Sequence, residues 1–224
     1  MIKSRIAVAS ALLAVAGAAN AAIEFSMTPA LVTDYDFRGL SQNDESETLQ
    51  LGLNFKVDNG AYFGAWASEV DLNNDAVWEL DLMAGFAGGD SNESFGYDVG
   101  AIFYTFPSSH ALKDTYEVYA GISKGMFSGK VWFAPDYYNE KSVYAEANAA
   151  VPLPHGLTLG VHAGYSFGEA YSHYEYVDYS VGLTKALGKF DLNVKYVNSN
   201  DFKDPVVGRN AWIASLSTTL PWRK

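Results

Sequence analysis

The stretch Thr48-Leu49-Gln50-Leu51-Gly52-Leu53-Asn54-Phe55-Lys56-Val57 alternates between apolar and polar or small side chains without a break. Successive side chains of a β-strand point to opposite faces, so this segment has one greasy side and one wet side. Asp58-Asn59-Gly60 follows at once, and Asn-Gly marks a tight hairpin turn. The same period of two recurs on either side of it. Trp78, Leu80, Leu82, Ala84 and Phe86 alternate with Glu79, Asp81, Met83 and Gly85. Further alternating runs start at Tyr116, Val143, Leu157, Val177, Phe190 and Trp212. Weaker candidates are Leu31 to Arg38, Ala61 to Val70, Phe95 to Phe106 and Phe127 to Ala134. In Leu31 to Arg38, Asp34, Asp36 and Arg38 oppose Leu31, Tyr35 and Phe37. Ala61 to Val70 is apolar on both faces, so its orientation stays open.

The total is about twelve strands (10–12) of roughly 8–11 residues, the length that crosses a bilayer at a tilt. The predicted fold is all-β, a transmembrane up-and-down antiparallel β-barrel. The links support it. Short turns at Lys124 to Met126, Pro152 to Gly156 and Ala186 to Lys189 alternate with longer links. The longer ones are Gly39 to Glu47, Pro107 to Asp114, Pro135 to Lys141, Gly168 to Tyr174 and Ser199 to Arg209. Outer-membrane barrels alternate periplasmic turns and external loops in this way. Ala87 to Ser94 and Asp71 to Ala76 blur the order. An exported β-sandwich would also alternate, but it would bias its wet face toward charge. Here the wet faces mix Gly, Ser and Asn with scattered charge.

Upstream, Lys3 and Arg5 precede an apolar run from Ile6 to Ala19, and Ala19-Asn20-Ala21 suits a signal peptidase. Residues 1–21 read as a cleaved signal peptide and 22–224 as the barrel domain. The run is too short and too Ala-rich for an anchor, which needs about 20 apolar residues. Removing Lys3 and Arg5 from the 15 basic side chains leaves 13 against 26 acidic ones. So acidic a chain lacks the basic surface that nucleic acid requires. There is no cysteine, which removes disulfides, thiolate chemistry and cysteine metal sites. The mean hydropathy of −0.05 fits alternating faces that cancel.

Several segments are similar to a family of proteobacterial porin-like proteins, the TorF family, first catalogued as conserved proteins of unknown function. They are Val32-Thr33-Asp34-Tyr35-Asp36-Phe37-Arg38-Gly39-Leu40-Ser41-Gln42 and Gly60-Ala61-Tyr62-Phe63-Gly64-Ala65-Trp66-Ala67-Ser68. Glu79-Leu80-Asp81, Ala84-Gly85-Phe86, Tyr97-Asp98-Val99-Gly100, Tyr116 to Gly121, and Pro152-Leu153-Pro154 leading into Gly164-Tyr165 follow in order. The resemblance implies an outer-membrane barrel and transfers no catalytic residue. Two departures stand out: Glu69 where Asn is expected, and an end in Pro221-Trp222-Arg223-Lys224 rather than in an aromatic residue. The second weakens the expected recognition by the barrel-assembly machinery.

If the apolar faces meet lipid, the opposite faces line a lumen. The candidates are Asp34, Asp36, Arg38, Glu79, Asp81, Glu117, Lys130, Glu146, Asp178, Asp191 and Lys195. Carboxylates outnumber cations, so an open pore would weakly prefer cations. Pairing of these charges across a narrow lumen would plug it instead. Arg38, between Asp34 and Asp36 on one predicted strand face, could fork two carboxylates or engage an anionic solute. The expected function is passive diffusion of small solutes, with lipid and lipopolysaccharide as surroundings. A non-conducting adhesin or structural barrel is the alternative. An enzyme acting on lipid ranks third: His110, His155 and His173 fall in links, and no Gly-x-Ser-x-Gly or His-Glu-x-x-His occurs. No cofactor is expected, and no acidic run has calcium-loop spacing.

Overall fold

The computed structural model describes residues 23–72, 74–201 and 209–222. The predicted signal peptide lies outside them. In chain order the strands are β1 (Ile23–Val32), β2 (Asp36–Phe37), β3 (Leu40–Ser41), β4 (Thr48–Val57), β5 (Ala61–Glu69), β6 (Trp78–Gly89) and β7 (Gly96–Thr105). They continue as β8 (Thr115–Lys124), β9 (Phe127–Tyr137), β10 (Glu140–Leu153), β11 (Leu157–Phe167), β12 (Tyr176–Leu187), β13 (Phe190–Asp201) and β14 (Arg209–Ser217). Twelve of them close into one antiparallel barrel, and β2 and β3 form a separate miniature hairpin. Neighbours in sequence are neighbours in the barrel, so every turn returns the chain beside itself. β1 meets β14 at the seam over only three register pairs, Ala30 to Val32, extended by a Met27–Leu220 bridge.

β4 has the boundaries its alternation predicts. Leu49, Leu51, Val99, Val118, Val131, Val181, Val194 and Trp212 are all exposed on the outer surface. An exterior of this kind would be untenable in water and suits lipid, where exposed apolar area carries no hydration cost. At the turn end the belt carries aromatic rings, with Phe55 packed against Phe25 at 4.9 Å and Phe63 at 4.6 Å. Pairing of Leu53 with Ala65 and of Phe55 with Phe63 puts those residues outside and turns Tyr62 and Trp66 inward. That settles the ambiguous β5. Large inward rings need room on the next strand. The Tyr62 ring covers Gly85 and the Tyr119 ring covers Gly100, each its direct register partner, where a Cβ would collide with the phenol.

Two expectations are corrected. Pro135 to Lys141 is not a long loop: β9 and β10 continue to a two-residue turn, Tyr138-Asn139, both at positive φ. Leu31 to Arg38 is not one continuous strand of the barrel. β1 stops at Val32, and the chain turns into the barrel. Side-chain hydrogen bonds replace the ladder there: the Tyr35 N–H donates to Asn43 Oδ1 at 2.9 Å, and the Ser41 hydroxyl donates to Asp34 at 2.7 Å. The apolar residues of the segment bury inward. Tyr35 packs on Trp66 at 5.0 Å and Phe37 on Tyr104 at 6.0 Å. Tyr35, Val70 and Ala76, with Leu72, Phe106 and Leu112 around them, form an apolar core at the loop end.

Candidate functional site

The lumen is organised around this inserted segment. The β2–β3 hairpin turns through Arg38 at φ 51° and Gly39 at φ 78°, the paired positive angles of a tight hairpin. A side chain at position 39 would strike the Cβ atoms of Asp178 at 2.6 Å and Ser199 at 2.8 Å, so glycine alone lets the tip lie on the barrel wall. The Ser199 hydroxyl donates to the Gly39 carbonyl at 2.9 Å. From that tip Arg38 reaches to β8. Its Nη1 and Nη2 donate to Glu117 Oε1 and Oε2 at 2.9 and 2.6 Å. Tyr104 adds a phenolic hydrogen bond to Glu117 at 2.8 Å. The guanidinium also lies 4.2 Å from the Tyr144 ring centre and 4.7 Å from Phe37. Both partners are almost wholly buried, at 8% and 4% side-chain exposure. A desolvated pair of this kind holds only because both charges are matched and hydrogen-bonded.

The expected fork of Arg38 on Asp34 and Asp36 is therefore corrected. Those carboxylates belong to Arg209, which contacts Asp34 directly and approaches Asp36 at 3.2 Å, while Lys195 donates to Asp36 at 2.9 Å. The three residues do not share a strand face, because the barrel strand ends at Val32 and of the three only Asp36 lies in the short β2. By sequence Arg209 falls at the end of the link from Ser199. Only the inward turn of the chain opposite β14 brings it to the acids.

The other candidates fall into three groups. Glu79, Asp81 and Asp178 are buried inside the barrel. Lys130 and Glu146 are partly exposed and line a cavity of about 570 Å³ at the turn end. Asp191 lies at the open turn end of β13 and is exposed. Lys130 donates to Asp98 at 2.6 Å under the rings of Tyr119 and Trp132, and Tyr62 donates to the same carboxylate at 2.5 Å. Asp98 sits in a segment whose alternation was too irregular to assign its face. Above that cavity is a second of about 530 Å³, lined among others by Trp66, Asp81, Tyr104, Trp132, Glu146 and Asp178. A third, of about 210 Å³, lies beyond Phe37 and Arg38 among Phe106, Tyr137, Tyr138 and Tyr171. The hairpin tip separates the second from the third.

His162 is placed inside, as its strand face implies, and both ring nitrogens are engaged. Nδ1 is 2.7 Å from Asn148 Oδ1, and Nε2 is 2.8 Å from Asp178 Oδ1 and 3.0 Å from the Tyr144 phenol. A histidine committed in this way is a joint in the network, and no serine hydroxyl is bonded to it among the described residues. Outside the strands, Asp75 accepts hydrogen bonds from the Ser109 hydroxyl and the His110 and Ala111 N–H groups. These bonds, that of Ser109 foremost, hold its carboxyl well below the usual carboxylate range.

Residues 16–219 match the family model described as "Bacterial protein of unknown function (Gcw_chp)". The chain belongs to this family. Among curated proteins none matches the sequence. The fold is that of solved porins. A structure titled "KdgM porin" aligns at a TM-score of 0.58 and 11% identity, over 88% of this chain and 99% of the other. The KdgM porin "in complex with disordered oligogalacturonate" aligns at 0.56 and 11%, over 90% and 100%. A NanC porin structure aligns at 0.56 and 7%, over 87% and 99%. At such identities the likeness is one of fold, and function rests on the lumen itself.

Proposed function

We propose that this Gcw_chp-family protein is an outer-membrane channel of the porin kind that passes small solutes by passive diffusion. The observation that carries this reading is the water-sized space stacked along a closed barrel with an apolar exterior: cavities of about 570 and 530 Å³ share Glu146 in their linings. In this reading residues 1–21 direct export and are removed after Ala21, the turn end faces the periplasm, and the outer belt meets lipid and lipopolysaccharide. The barrel-assembly machinery inserts the chain, and the resemblance to the TorF family is consistent with that setting. The candidates from Asp34 to Lys195 line the path. Asp81, Glu146 and Asp178 exceed the cations left unpaired there, which favours weak cation preference. No catalytic role is assigned.

The Arg38–Glu117 pair favours a second reading, a barrel that is closed at rest and serves as an adhesin or structural protein. Swelling of liposomes carrying the purified barrel in isotonic neutral sugar separates the two. Passage of arabinose and glucose is expected; tight liposomes leave the closed barrel. Reversal potentials in a salt gradient read the selectivity, and anion preference would remove the cation assignment.

A further inference from the structure

Two cations inside this barrel, Arg38 and Lys130, are held in the same way. The Arg38 guanidinium has Glu117 on one side and the rings of Tyr144, Phe37 and Trp132 around it. The Lys130 ammonium has Asp98 on one side and the Tyr119 and Trp132 rings at 4.4 and 4.9 Å. Each site combines a carboxylate with the negative face of an aromatic ring, the pairing that recognises organic cations.

The cavity of about 530 Å³ offers the same chemistry. Trp66, Trp132 and Tyr104 supply its rings, and Asp81, Glu146 and Asp178 its carboxylates. Asp81 is 5% exposed, makes no ion pair among the described residues, and its Oδ1 accepts no hydrogen bond. Asp178 Oδ2 is likewise without a donor. Buried polar atoms without partners are uncommon because the loss of hydration is not compensated. The cations that line the cavity are committed elsewhere, Arg38 to Glu117 and Lys195 to Asp36. His162 bridges to Asp178, and the group beside Asp81 is the Glu79 carboxyl two residues away on the same strand face, so no cation of the described chain answers this acidic pair.

We infer that the mid-lumen cavity is a binding subsite for a small organic cation, an alkylammonium ion held between Asp81 and the rings of Trp66 and Tyr104. The volume lies in the range of ordinary small-molecule sites. This inference deepens the channel reading above and names the solute class. It also sets this lumen apart in chemistry from a path built for polyanions, because a sugar acid would meet the same carboxylates with like charge.

The test is titration of the folded barrel in detergent with n-butylammonium chloride, read by tryptophan emission, with sodium chloride and neutral n-butanol as controls. Butylammonium is expected to give a saturable change that neither control gives, and Asp81→Asn to weaken it about tenfold, the size of about 1.4 kcal/mol. Glu93→Gln, in the exposed turn after β6, should leave it unchanged. A response that never saturates, an equal response to butanol, or an unaltered Asp81→Asn curve overturns the proposal. Should Asp81→Asn fail to give the compact unheated gel band of a closed barrel, Glu146→Gln tests the same cavity. Weaker binding in that variant supports the subsite, and unchanged binding overturns it. The titration needs no transport. Swelling without saturable binding removes the subsite and keeps the channel, whereas binding without swelling does the reverse.

Discussion

The two ends of the lumen are built on the same strands yet have opposite contents. At the turn end small inward residues, Gly96, Gly121, Ser123 and Ser128, leave room beside Tyr62, Asp98 and Lys130 for a cavity of about 570 Å³. At the loop end the inward residues are large, with Tyr104, Tyr137, Tyr171 and Tyr176 crowding around the inserted hairpin, and the remaining space falls to about 210 Å³. A barrel of twelve strands can be hollow or filled. The difference lies in side-chain volume and in one segment of ten or so residues that the sheet does not need.

The largest expected effect comes from unlatching the filled end. Arg38→Met leaves Glu117 buried with only the Tyr104 hydroxyl, so stability should fall by about 3–5 kcal/mol, read by denaturant unfolding of the folded barrel. Single-channel conductance in planar bilayers should rise several-fold. The double variant with Glu117→Leu should recover much of the stability while remaining conductive, because no buried charge is then left alone. Unchanged conductance in both would mean that the hairpin does not limit the path.

A smaller effect is expected from filling the open end. Ser128→Phe puts a ring among small neighbours where there is room, so stability should move by no more than about 0.5 kcal/mol. Conductance should nevertheless drop, and the contrast between the ends would shrink. If conductance is unaffected, solutes do not use the turn-end cavity.

The smallest effect concerns the links at the loop end. Asp75 is held ionised by the Ser109 hydroxyl and neighbouring N–H groups, so its folded-state pKa lies below the unfolded one. Its contribution is complete above the usual carboxylate value of about 4. It declines progressively as pH falls below that value and is gone once pH is below the lowered one. Hydrogen-exchange protection of Ala111 and Leu112, corrected for the intrinsic rate, should hold from neutral pH to about 4. Asp75→Asn should lower that protection across the whole range. A protection loss in the parent centred near neutral pH would point to another group.

Much of this division was legible in the residues, and part of it was not. The strand Thr48–Val57, the twelve-strand barrel and the inward placement of Glu117, Lys130, Glu146 and Asp178 follow from alternation. Alternation is a local signal with one consequence, the face on which a side chain stands. Val32 to Asn43 misled it. Leu31, Tyr35 and Phe37 have the spacing of a lipid-facing strand, but Tyr35 and Phe37 find their apolar surroundings inside, against Trp66 and Tyr104. Period two records that one face is apolar and leaves open whether lipid or a filled lumen covers it.

The sequence by itself determined the antiparallel strand order, most of the tight turns and the acidic, cysteine-free character. Only the tertiary structure decided what occupies the middle. Arg38 meets Glu117 across 79 residues of chain, and Asp36 meets Arg209 across 173. No local pattern encodes such partners, because closing the barrel is what brings distant strands to face one another. The same closure leaves Asp81 beside aromatic rings with an oxygen that nothing in the described chain satisfies.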